Sequence, residues 1–160
     1  MAKPHDQKTN ALREVQAARI DHRAITYDGD ATMTGVDIAK LLGEDPDCVF
    51  KTLVTIGKSG SYYVFMVPVA CELDLKKAAS AVGEKAISMI KARELLPLTG
   101  YVHGGCSPIG MKTHFRTVID ETAELYSTIL FSGGRIGLQI EMSPDDLARL
   151  VGLEFADITL

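Results

Sequence analysis

Thr99 to Lys112 reads TGYVHGGCSPIGMK, four glycines and a proline among small polar residues between two apolar-patterned regions. Gly104 and Gly105 carry no Cβ and tolerate φ > 0, so a ligand can approach their main chain and meet outward N–H groups. Pro108 then stiffens the exit. Such a loop suits a carboxylate, a phosphate or a developing oxyanion, and the plain alternative is a structural connection. Cys106 with His103 or His114 admits a cysteine-hydrolase reading, since a thiolate beside an imidazole is a competent nucleophile. No fixed acid partner accompanies that pair. Zinc lacks a second pair of ligands at structural or catalytic spacing. A paired-carboxylate hydrolase would have to draw on Glu141, the best of few acids. No metal and no cofactor are therefore expected.

Lys51 is the other charge that invites chemistry, because it stands inside Val49 to Ile56, a run otherwise built for burial. Strand alternation groups Lys51 with Val49, Leu53 and Thr55, opposite Phe50, Thr52 and Val54. A lysine here either lies on an exposed sheet face or lines a pocket, where its ammonium would act electrostatically.

The elements that must position these groups have clear boundaries. Thr9 caps a first helix carrying Leu12, Val15 and Ala18, and HRAITY, ending at Tyr27, reads as a strand. Thr34 and Asp37 form a capping-box pattern before Ile38, Leu41 and Leu42, and Gly43 closes that helix. Val49 to Ile56 and Tyr62 to Val69 flank GKSG as an antiparallel hairpin. Asp74 caps Leu75 to Val82, ending at Gly83, and a short helix over Ala92 to Leu96 is stopped by Pro97. Thr117 to Ile119, Ser127 to Phe131 and Ile136 to Met142 read as strands, with Gly133 and Gly134 turning the last two. Ser143 and Pro144 open a final helix to about Val151, and a last strand covers Phe155 to Ile158. This order predicts an α+β fold.

The chain has 160 residues, enough for one domain that buries roughly 70% of its unfolded surface. MAKPHDQKTN is too polar for a signal peptide, and no apolar run approaches the ~20 residues of a membrane span. Cys48, Cys71 and Cys106, odd in number and without a CxxC pair, point to reduced thiols and hence to a cytoplasmic setting. A formal net charge of −4 excludes a general nucleic-acid binder. Lys76, Lys77, Lys85, Lys91 and Arg93, and again Lys112, Arg116 and Arg135, are either small local contacts for RNA or solvated faces.

Together, TGYVHGGCSPIGMK, FKTLV at Phe50 to Val54, VPV and LDLKKAA within Val67 to Ala79, and FSGG at Phe131 to Gly134 resemble the YbaK/EbsC family, in the family's order from about Tyr27 to Asp157. That family comprises free-standing deacylases that clear cysteine from mischarged proline tRNA and is related to the editing domain of bacterial prolyl-tRNA synthetases. The resemblance sharpens the fold to a curved, barrel-like mixed β-sheet surrounded by short helices. It implies Lys51 as the catalytic residue, acting on the acceptor end and the reacting ester. Gly104, Gly105, Ser107 and Pro108 match GGxxP, and Ser132, Gly133 and Gly134 match SGG; these, with Tyr27 and Thr52, are implied to bind substrate. The implied partners are the aminoacyl-tRNA acceptor end and prolyl-tRNA synthetase, with no membrane and no DNA. The implied chemistry is attack by the substrate cysteine's own thiol. Some relatives carry an acid where this chain has Gln139, which is left out of the implied site. A non-catalytic amino-acid or nucleotide module of the same fold, or a deacylase for alanine, is the alternative.

Overall fold

Thr9 Oγ1 accepts the Leu12 N–H at 3.1 Å and so starts α1 (Asn10–Ala17), which buries Ala11, Leu12 and Val15. The same hydroxyl donates to the Gly133 carbonyl, tying this helix to a distant turn. The computed structural model describes residues 8–160, so most of the polar N-terminal stretch lies outside the described residues. β1 (His22–Thr26) follows, then α2 (Gly35–Leu42), whose capping box is formed in full by Thr34 and Asp37. Leu41, expected on the apolar face of α2, is instead 54% exposed.

β2 (Phe50–Gly57) and β3 (Tyr62–Pro68) make the expected antiparallel hairpin. Asp74 caps α3 (Leu75–Val82), and β4 (Ile87–Met89) pairs with the end of β2. α4 (Ala92–Thr99) runs through Pro97 rather than stopping before it. Proline removes one backbone donor from a helix, and here Thr99 Oγ1 to Leu95 O (2.7 Å) and Gly100 N to Leu96 O (2.8 Å) hold the last turn.

β5 (Arg116–Asp120), β6 (Ile129–Ser132) and β7 (Leu138–Met142) precede α5 (Pro144–Val151) and β8 (Glu154–Ala156). β7 begins later than its apolar run because Gly137, at φ +92°, is incompatible with a strand. β8 ends early because the Ile158 N–H turns to the buried Asp120 carboxylate at 3.1 Å.

The strands form two sheets, ordered β1-β7-β6 and β4-β2-β3-β5-β8, the second mixed because β5 runs parallel to both neighbours. The fold is α+β as expected, but among the described residues no barrel closes: the backbone pairing between the two sheets is the bridge from Val49 to Leu130. The main core lies between α1, α5 and the inner faces of both sheets, around Phe50, Met66, Ile119, Phe131 and Ile140.

Candidate functional site

The gap between the sheets makes the site. β4 pairs with β2 from Thr55 onward, and β6, whose other edge is paired with β7, is bridged to the second sheet at Val49. Between these points one edge of β2 is uncovered. Backbone groups of a strand alternate sides, and Val49, on the β3 side, bonds Val69 N, whereas Val54 O takes Ile90 N on the β4 side. By the same parity the Thr52 N–H and C=O face the gap.

A cavity of about 560 Å³ fills it, within the range of small-molecule sites. Apolar walls come from Ile38, Phe50, Val69, Ile90 and Leu95, and polar groups from Lys51, Thr52, Lys91, His103, Ser132 and Gln139. Lys51 Nζ lies 3.9 Å from Glu72 Oε1, and the Glu72 side chain is 77% exposed. So distant and solvated a pair leaves the ammonium available to a ligand.

The two glycine loops meet at the cavity wall. Gly104, at φ +85°, lines it, while a Cβ on Gly105 would stand 3.0 Å from the Arg135 Cα and the Ile136 nitrogen. Gly133 and Gly134 are likewise packed against Leu138 and against Thr9 and Tyr101. The N–H groups of Gly105, Gly133 and Gly134 serve Val102 O, Leu138 O and Ser132 Oγ. Those of Gly104 and Cys106, both at the cavity, donate to no acceptor among the described residues.

The other expected residues stand further off. Ser107 is fully buried, with its Oγ accepting the Ile109 N–H at 3.3 Å. Pro108 lines a separate hollow of about 110 Å³ with Glu14 and His114. Tyr27 follows β1 with its hydroxyl buried and unpartnered among the described residues, as is Thr52 Oγ1. The cavity thus brings together Lys51, Thr52, Gly104 and Ser132 and adds Lys91, His103 and Gln139, none of them in the expected substrate-binding set. Sequence reading weighs His103 as a partner of Cys106 and Lys91 as a surface basic residue, and sets aside Gln139, a polar residue within the apolar GLQIEM strand.

Cys106 borders the cavity, but burial pushes its thiol up to about 12. A thiol so raised is protonated at neutral pH and makes a poor nucleophile. Among the described residues no group of three or more His, Cys, Asp or Glu could hold a metal ion. Two of the expected basic residues are engaged at the surface, Arg116 with Glu154 (2.8 Å) and Lys77 with Asp157 (3.0 Å). No helix among the described residues is long and apolar enough to cross a membrane.

The chain is similar to known proteins over most of its length. The aminoacyl-tRNA editing domain matches residues 30–150. An Enterococcus faecalis protein, provisionally named Cys-tRNA(Pro)/Cys-tRNA(Cys) deacylase EbsC, is 40% identical over 158 residues, 98% of this chain and 96% of its own. The crystal structure of a protein described provisionally as a trans-editing enzyme for prolyl tRNA synthetase superposes with a TM-score of 0.81 at 27% identity, covering 97% of this chain and 99% of that one. That of a hypothetical protein shares the fold, with a TM-score of 0.86 at 24% identity over 95% of this chain and 100% of the other.

Proposed function

We propose that this chain, which belongs to the aminoacyl-tRNA editing domain family, hydrolyses cysteine from mischarged Cys-tRNA(Pro), with Cys-tRNA(Cys) as a second substrate. Its 160 residues act as one editing domain in the cytoplasm, on the acceptor end of the tRNA, with prolyl-tRNA synthetase as the partner that supplies tRNA identity. The need is physical, since a proline-activating site separates a similarly small cysteine by only about 1–3 kcal/mol.

The observation that carries the chemistry is a cavity lined by the Lys51 ammonium and by Gly104 and Cys106, whose N–H groups are unpaired among the described residues, in which no described side chain is an activated nucleophile, the Cys106 thiol being pushed up to about 12. The substrate therefore brings its own. A free cysteine thiol ionises near ~8.5, so some thiolate exists at neutral pH, and an intramolecular attack needs only the right conformer. The thiolate sulfur bonds the ester carbonyl carbon, the oxyanion forms, and collapse breaks the C–O bond to the ribose. The ribose oxygen takes up the proton the thiol gave to solvent, and water opens the released thiolactone to cysteine. Lys51 binds the acceptor end and offsets negative charge, and the Gly104 and Cys106 N–H groups receive the oxyanion. Thr52, with its main chain turned into the gap, and Ser132 shape the floor. Tyr27, Gly105, Ser107, Pro108, Gly133 and Gly134 support that wall from behind.

The test is turnover with substoichiometric protein. Many equivalents of cysteinyl-tRNA(Pro) should be cleaved per protein while prolyl-tRNA(Pro) survives, and Lys51→Ala should lower the rate by about 100-fold, the loss of one strong electrostatic contact. Loss of no more than one equivalent would leave only a binding module.

A further inference from the structure

Lys91, His103 and Gln139 line the cavity without a role in the chemistry above, and Gln139 is the buried one of the three. Gln139, the second residue of β7, lies between Ile25 of β1 and Ser132 of β6, is 4% exposed and lines the cavity. Its Oε1 accepts no hydrogen bond among the described residues. Glu141, two residues on and on the same face, has both oxygens engaged, one by Arg23 Nε at 2.6 Å and the other by Thr128 Oγ1 at 2.8 Å. A buried carbonyl without a donor is a standing cost that an apolar side chain of similar size would not carry.

An amide oxygen only accepts, so whatever completes it must arrive with a donor. The Thr52 C=O, turned into the same gap, is a second acceptor. Lys51 and the loop N–H groups are donors and answer the negative parts of a ligand. Of the groups on an aminoacyl ester, the carbonyl and the phosphates are acceptors; the ribose hydroxyl beside the ester and the terminal adenine amine can donate, but the α-ammonium, with three charged donors, gives the strongest bond to a buried neutral acceptor.

We propose that Gln139 Oε1 binds the α-ammonium of the esterified amino acid, which fixes the Cα orientation and aims the side-chain thiol at the carbonyl. This rests on the deacylase reading above. Gln139 is then a substrate-binding residue that makes cleavage faster for esters with a free amine.

Two esters on the same tRNA test it: cysteinyl, and 3-mercaptopropionyl, which keeps the thiol and lacks the amine. Wild type should cleave the cysteinyl ester with kcat/KM at least about tenfold higher, the size of one buried hydrogen bond to a charged group. Gln139→Met should bring the cysteinyl ester down to the level of the deamino ester, leave the latter within about twofold, and keep or raise Tm. Equal cleavage of the two esters by wild type overturns the proposal whether or not the variant folds. An equal drop on both esters in Gln139→Met also overturns it, since the residue would then be structural or would meet the ribose. If wild type cleaves neither, the deacylase reading falls and takes this one with it.

Discussion

Cys106 and Tyr101 share a small apolar cluster with Val54 and Val64 behind the glycine loop, and burial pushes both the thiol and the phenol up to about 12. A protonated thiol has no part in the proposed step, so Cys106→Ala should change the cysteinyl-ester rate by less than about threefold; a loss like that of Lys51→Ala would restore Cys106 as nucleophile. The same shifts bear on stability. In the unfolded chain these groups ionise near 9.0 and 10.0, whereas the folded protein holds both protons to about 12. The unfolded state therefore binds fewer protons across that window. Stability is unaffected by these groups below about pH 9 and falls as pH rises toward 12, by up to about 1.4 kcal/mol per pH unit for each retained proton. Denaturant midpoints measured from pH 8 to 11 should show the decline, and Tyr101→Phe should flatten it; a midpoint independent of pH would refute the burial argument.

At the scale of elements, the two glycine motifs serve mainly as a close contact between loops. Gly105 faces backbone atoms of Arg135 and Ile136 that cannot swing aside, so Gly105→Ala should cost about 1–3 kcal/mol by overpacking and should also lower deacylation by moving Gly104. Gly43, at φ +68° with nothing near its Cβ position, is the comparison: Gly43→Ala should cost about 1–2 kcal/mol from conformation alone and leave activity intact. Equal activity loss in both variants would mean that the loop contact has no special bearing on the site.

Much of this was legible in the sequence because it is local. The Thr34–Asp37 box, the Asp74 cap and the hairpin around GKSG depend on neighbours within a few residues. What escaped is long-range. Thr9 reaching Gly133, the halt of β4 at Thr55 that opens β2, and the burial of Gln139 depend on partners far away in the chain. Pro97 misled because the hydrogen bonds that carry the helix past it come from Thr99 and Gly100, beyond the proline.

For the molecule as a whole, the opening of the sheets at β2 is the feature on which function turns. Two sheets whose backbones are bridged at Val49 and Leu130 leave an edge of β2 open beyond it, and helices α2 and α4 wall it rather than seal it. With a net charge of −4, the chain as a whole gains little from unspecific attraction to phosphates. The most direct measurement is the single-turnover rate of ester loss from cysteinyl-tRNA(Pro) beside two esters without a free thiol, S-methylcysteinyl and the smaller alanyl. Rapid loss of the cysteinyl ester, with both others decaying no faster than without protein, is the expected result. Comparable loss of either thiol-free ester would contradict substrate-thiol attack and place the nucleophile on the protein or on a bound water.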